Sequence, residues 1–349
     1  MRKFDYSSLR GAHWSNRVVS LLSRIHEFRG KQELLLKQKP AALERLLETA
    51  RIQSIQGSNN IEGIRTSPSR LKQIVTARIA PHSRDEAEIA GYRDALNVID
   101  ESFEDIPLKP SYILQLHRVM LSQTDSPFAG RFKTGQNLIV EEGESGIQRV
   151  RFSPLSPVET PIAIQQIGDS FNIEIARGEV DPLILIPSFV LDFLCIHPFD
   201  DGNGRMSRLL TDLLLYRSGY LVGKYVSLEH RIDRTKEAYY AALEKSDQGW
   251  NSEENDSAPF IEYLLGVILF CYRELDSRMM ASDEESVSSL ELVRRAVSQR
   301  IGRFTKEDIQ ISVPQLGNTS IVKALNQLIM EGLIERRGVG RGIYYVRKD

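Results

Sequence analysis

A mainly α protein, with one β-hairpin in its middle and a small module at its C-terminal end, is the fold class the sequence predicts. Three observations carry it. Apolar residues recur at helical spacing through most of the first 200 residues. One glycine-punctuated stretch favours β structure instead. An acidic, polar stretch, DEESVSS at 283–289, is followed by a different pattern and is expected to be a linker.

In chain order, AALERLLETARIQSI carries Leu43, Leu46, Leu47 and Ile52, the spacing of an amphipathic helix. EAEIAGYRDALNVIDESF repeats it with Ile89, Tyr92, Leu96 and Ile99, and KPSYILQLHRVML opens a third helix at Pro110 and Ser111. NLIV and QRVRF flank EEGESG and read as a hairpin; without further sheet partners, its edge is expected to stay open for binding. Helices follow over VETPIAIQQIGDSFNIEIA, over PLILIPSFVLDFLCI, over RMSRLLTDLLLYRSG up to Gly219, and over SAPFIEYLLGVILFCYRELDSRM. Beyond the linker come two short helices, SLELVRRAVSQ and TKEDI, the second capped by Thr305 with Asp308 three residues on. A longer helix over 318–330 (Ile321, Leu325, Leu328, Ile329) stops at Gly332, and LIERR, GVGRG and IYYVRK complete a basic-tipped hairpin. This last module resembles a winged helix.

Composition narrows the class. An apolar fraction of 41% with 26% charged residues is that of an ordinary globular protein and excludes a disordered one. The net charge of −2 announces neither nucleic acid nor membrane. From Glu285 to Asp349, however, 11 Lys and Arg stand against 7 Asp and Glu (+4), leaving −6 for the rest. The tail is a basic module on an acidic body. Cys195 and Cys271, each in an apolar run, read as buried free thiols. The N-terminus has no apolar signal region and no run is long enough to span a bilayer, so no membrane and a cytoplasmic location are expected.

The densest chemistry lies in HPFDDGNGRMSR, from His197 to Arg208. Gly202 and Gly204 let the backbone approach a ligand, and the N–H groups of a helix starting there attract phosphate. Arg205 and Arg208, three apart, are expected on one helix face where both could clamp phosphate oxygens. Asp201 beside such a nest suits Mg²⁺, which takes one or two carboxylates plus phosphate oxygens. His197 at the rim suits a general base. Each piece alone has an ordinary structural explanation; their conjunction does not.

This stretch resembles the signature of the Fic family, His-Pro-Phe-x-Asp/Glu-Gly-Asn-Gly-Arg-x-x-Arg, at every fixed position. The likeness extends over most of residues 50–275: Leu116-His117 resembles an upstream helix, the hairpin a target-docking flap, and RTKEAYYAAL a nucleotide-pocket helix. It implies a Fic-type helical core at 111–282 preceded by an N-terminal helical region at 1–110; the module that resembles a winged helix takes 283–349. The implied activity is transfer of AMP from ATP to a Ser, Thr or Tyr hydroxyl of a target protein. His197 would be the base, Phe199 a core anchor and Asp201 the Mg²⁺ ligand. Gly202, Asn203, Gly204, Arg205 and Arg208 would hold phosphates, Tyr239 and Tyr240 would wall the adenine pocket, and Asn137, Leu138, Ile139 and Val140 would dock targets. The family often carries Asn where this chain has Asp247.

QGSNNIEGI holds Ser58-x-x-x-Glu62-Gly63. On its own it reads equally as a helix ended by a glycine cap. Upstream of the full signature it resembles the family's inhibitory motif, and implies that Glu62 pairs with Arg208 and blocks the γ-phosphate. Removal of AMP by the same site, transfer of another nucleotide, and a DNA-binding regulator acting through helix 318–330, Lys323, Arg336, Arg337 and Arg341 stay open as alternatives. Expected partners are ATP and the target protein, with self-modification, DNA and a homodimer also open.

Overall fold

The structure, a computed structural model, describes residues 2–77, 79–142, 148–286, 289–300, 302–314, 316–338 and 340–348. It divides into two compact units, Met1–Leu275 and Asp276–Asp349.

The first unit is built from α1 (Asn16–Gln38), α2 (Pro40–Ile61), α3 (Pro68–Ala77), α4 (Arg84–Ser102), α5 (Pro110–Met120), the hairpin β1 (Ile139–Glu142) and β2 (Gln148–Phe152), α6 (Thr160–Arg177), α7 (Pro182–Ile196), α8 (Asn203–Arg217), α9 (Leu228–Arg234), α10 (Lys236–Asp247) and most of α11 (Ala258–Ser286). The starts are written locally. Ser15, Ser83, Asp181 and Ser227 each accept a bond from a first-turn N–H, and Pro40, Pro110 and Pro182 occupy positions whose N–H has no helical acceptor.

α7 is the centre. Its residues from Leu183 to Phe193, with Cys195 and Ile196, are buried, against α6 on one side and α8 on another. α2 lies along α9 at very close range. A Cβ on Gly57 would stand 2.7 Å from the carbonyl carbon of Glu229 and from the amide nitrogen of His230, so only glycine allows the contact.

The expected helices appear, and α1, α3 and α9 join them. The first hairpin strand starts at Ile139, so Asn137 and Leu138 precede it. It pairs antiparallel with the second, Ile139 opposite Phe152 and Val140 opposite Val150. The middle of the turn, 143–147, lies outside the described residues.

The second unit holds α12 (Ser289–Ser298), β3 (Arg303–Phe304), α13 (Lys306–Ser312), α14 (Asn318–Met330), β4 (Ile334–Arg337) and β5 (Tyr344–Arg347). The strands form an antiparallel sheet in the order β3-β5-β4. Val293, Phe304, Ile309, Ile321, Leu325, Leu328, Ile334 and Tyr345 make its own core. The Thr305–Asp308 capping box forms as expected.

Two boundaries differ from expectation. Residues 1–110 are no separate region, because α2 packs on α8 and α9 and α4 packs on α5 and α8. The stretch expected as a linker begins as helix, since α11 runs on through Ser286.

Candidate functional site

α7 ends at His197, whose backbone is left-handed (φ 52°, ψ 62°), a conformation disfavoured for any residue with a side chain. The turn then runs to Gly202, also left-handed (φ 83°), from which α8 departs. The first helical bond of α8 is from the Met206 N–H to the Gly202 carbonyl. The N–H groups of Asn203, Gly204 and Arg205 precede it and have no helical acceptor.

Several groups hold this turn. The Asn203 side chain accepts from the Phe199 N–H (2.9 Å) and donates to the Phe199 carbonyl (2.8 Å). Asn137 Nδ2 donates to the carbonyls of His197 (3.2 Å) and Phe199 (3.0 Å). The Lys133 N–H donates to the Pro198 carbonyl (2.9 Å), and Lys133 Nζ to the Ile196 carbonyl (3.0 Å) and Asn137 Oδ1 (2.8 Å). His117 stacks flat on Phe199, ring centroids 3.7 Å apart. Its Nδ1 accepts from the Gly130 N–H (3.0 Å), so Nε2 carries the proton and donates to the Asp201 carbonyl (3.1 Å). Burial pushes His117 down to about 4.

His197 Nδ1 lies 3.2 Å from the Leu194 carbonyl. A carbonyl only accepts, so the proton is on Nδ1 and the Nε2 lone pair is free. Burial pushes this imidazole down to about 4 as well, with Lys133 and Arg151 adding to the shift and the Leu194 bond and Glu62 opposing it. At neutral pH it is unprotonated.

His197 opens on a cavity of about 300 Å³, lined also by Glu62, Gly204, Arg208, Tyr239, Tyr240 and Asp247. Arg208 Nε donates to Ser58 Oγ (2.8 Å), and its Nη2 to the Ser58 carbonyl (2.9 Å) and to Glu62 Oε1 (2.7 Å). The expected pairing of Arg208 with Glu62 is therefore present, and Ser58, for which no such contact was expected, joins it. Glu62 is the C-cap of α2, and Gly63, at φ 81°, turns the chain away. Glu62 Oε1 also presses on Gly204 where a Cβ would stand. The buried ring of Tyr239 meets the half-exposed Tyr240 edge to face, 5.3 Å between centroids. Asp247 pairs with Arg151 of β2 at 2.7 Å, so a carboxylate here ties α10 to the hairpin.

Other expected residues stand elsewhere. Arg205 does not line this cavity: it is buried against Glu88 of α4 (2.8 Å) and rests 3.4 Å from Asp201. Three positions along a helix differ by 60° in direction, enough to aim Arg208 at α2 and Arg205 at α4. Asp201, half exposed, lines a neighbouring cavity with Arg84, Glu88, Asp125 and Asp200. The side chain of Asn203 is spent on its own turn, leaving its N–H for a ligand. Asn137, expected in the docking strand, points to the turn instead, whereas Leu138 and Val140 are half exposed. Among the described residues no cluster of three or more His, Cys, Asp or Glu could cage a metal. Lys133, His117 and Glu88 were not singled out for a role from sequence; their signal lies in contacts across the fold.

Fold and site define the class: a mainly α domain whose cavity is built where a glycine-rich turn launches a central helix. Residues 107–215 match the model of the Fic/DOC family. It is 28% identical over 250 residues to protein adenylyltransferase fic-1 of Caenorhabditis elegans, covering 70% of this chain and 44% of that one. Protein adenylyltransferase Fic of Drosophila melanogaster is also 28% identical over 250 residues, covering 70% and 43%. The chain thus spans less than half the length of these curated relatives. A Fic family protein from Desulfovibrio desulfuricans superposes with a TM-score of 0.62 at 23% identity over 97% of both chains. A C. elegans Fic-1 fragment gives 0.62 at 25% identity, over 76% of this chain and 73% of that one.

Proposed function

We propose that this chain is a protein adenylyltransferase held back by Glu62. The observation that carries the reading is the free Nε2 of His197 beside the open N–H groups at the start of α8. A target hydroxyl would give its proton to Nε2 as its oxygen attacks the α-phosphorus of ATP. The bond to the β-bridging oxygen breaks and pyrophosphate leaves. The N–H groups of Asn203, Gly204 and Arg205, with Arg208, would carry the phosphate charge, commonly the largest catalytic contribution. Tyr239 and Tyr240 would flank the base. Asp201, half exposed and only loosely paired, is the carboxylate that would hold Mg²⁺ together with phosphate oxygens; the ion would supply charge to the leaving group.

Glu62 occupies Arg208 and the space over Gly204, so a polyphosphate meets a carboxylate there. The test is radiolabel transferred from α-labelled ATP to protein, self-modification included. Glu62→Gly should transfer faster than the parent. Its double with His197→Ala should lose the gain because the base is gone, and its double with Arg208→Ala because misalignment of about 1 Å costs on the order of 100-fold. A Glu62→Gly protein no faster than its parent removes the brake.

A second reading, release of AMP from a modified protein, is favoured by the place of Glu62 beside His197, where its carboxylate could orient a water. Loss of label from a modified target, dependent on Glu62, would distinguish it. For the second unit we favour a winged-helix module on its helix order and three-stranded sheet. Exposed Lys323 and Arg336 suit phosphate contacts, and salt-dependent binding to DNA tests that role against a protein contact. Arg341, also expected to contact phosphate, has its side chain outside the described residues. Two buried free cysteines support a reducing, cytoplasmic setting.

A further inference from the structure

As the chain leaves α7, one upstream segment meets the carbonyl groups of Ile196, His197, Pro198 and Phe199. Lys133 Nζ bonds the first, Asn137 Nδ2 the second and fourth, and the Lys133 N–H the third. The two donors are coupled. Lys133 Nζ also donates to Asn137 Oδ1 (2.8 Å), which fixes the amide so that Nδ2 faces the turn. Lys133 is only 3% exposed. Its ammonium group donates to a carbonyl and an amide oxygen; burial pushes it down to about 8, opposed at longer range by Asp200 and Glu159. A cation kept there at such cost sits at the carbonyl end of α7, where the helix dipole favours it, and acts on His197 through space.

We propose that Lys133 is the positioning residue of this site. With Asn137 as intermediary, its ammonium group holds the 196–199 turn so that His197 stays in its left-handed conformation. The charged groups acting on His197 are Lys133, Glu62 and Arg151. Burial remains the main reason the imidazole resists a proton, but removing the lysine takes away one of the two cations that add to it, so the imidazole becomes easier to protonate with or without Glu62.

As a statement about transfer, this rests on the adenylyltransferase reading; as a statement about His197, it does not. The test places Lys133→Met, Lys133→Gln and Lys133→Arg in the Glu62→Gly protein and reads two quantities. The first is the NMR titration of the His197 ring without nucleotide, which needs no activity. Its midpoint should rise in the Met and Gln proteins and stay near the parent value in the Arg protein. The second is label transfer, which should fall on the order of 100-fold in the Met protein, with ATP affinity kept and most of the rate restored by Arg. Gln keeps a donor without the charge, so it stands in should the Met protein fail to fold. An unchanged His197 midpoint in both neutral variants, or transfer within about twofold of the parent in a folded Met protein, overturns the proposal. Should Glu62→Gly transfer no label at all, the transfer reading fails, and the titration still decides the role of Lys133.

Discussion

At the scale of the residue, the left-handed histidine has a consequence for pH. His197 is pushed down to about 4 rather than titrating near 6.5, so its base form is complete throughout the neutral range. In the Glu62→Gly protein, kcat/KM, which reports the free enzyme, should stay level as pH falls from about 7 to about 5. A loss of half the rate near 6.5 would show an ordinary, exposed histidine. Stability follows the same shift. His117 and His197 both have folded values depressed below the unfolded one. Their contribution is full above about 6.5 and is lost as pH falls towards about 4, because the unfolded chain binds protons that the folded one refuses. Thermal melts should decline over that window, and less steeply in His117→Gln than in the parent. The residues readable from sequence were those written in short order: His197 to Arg208 across one turn and the start of the helix that follows it, Ser58 and Glu62 on one face of a single helix. The pairing of Arg208 with Glu62 is legible through the upstream motif, and that of Arg205 with Glu88 is not, because Glu88 has no sequence pattern to mark it. Lys133, Asn137 and His117 act over 60 to 84 positions of chain, and only folding brings them to the loop.

At the scale of the element, the contact between α2 and α9 sets the position of Ser58 and Glu62, the proposed brake. Gly57→Ala would drive a methyl group into the Glu229 and His230 backbone, which cannot yield as a side-chain tip can. The expected cost is about 1–3 kcal/mol, or roughly 2–4 °C in Tm for each kcal/mol in a unit of this size. Displacing α2 also moves Ser58 and Glu62 off Arg208, so label transfer should rise while Tm falls. An unchanged Tm would show the two helices less closely seated. In the hairpin, Ile139→Pro should lower transfer to a target protein without loss of ATP binding, if β1 offers its edge to that target. Equal transfer would mean that targets dock elsewhere. Helices were legible because burial on one face imposes a period that survives in the residues, and α14 runs over 318–330 as expected. β3 is two residues long, too short to show any period. β1 begins late because the Asn137 side chain is spent on the turn after α7.

At the scale of the whole molecule, each unit closes a core of its own. A protein ending at Ser286 keeps every residue of the candidate site and should transfer label at the rate of the full chain, as compared in the Glu62→Gly background. A deficit would show that the second unit contributes to the reaction itself. The separation of this unit was legible from the shift in charge and pattern near residue 283. The merging of residues 1–110 with the catalytic region was not. It depends on glycines at 57 and 91 that admit backbone against backbone, and a glycine carries no sign of which chain segment will approach it.

The bare α-carbon of Gly204 constrains which mutants could ever be recovered. It leaves room both for the Glu62 carboxylate and for the phosphate that would replace it, so any side chain there removes the two together. A genetic screen for hyperactive alleles should therefore return an uneven spectrum. Gains would cluster at Ser58, Glu62 and the α2–α9 seam, while codon 204 would yield silenced proteins alone.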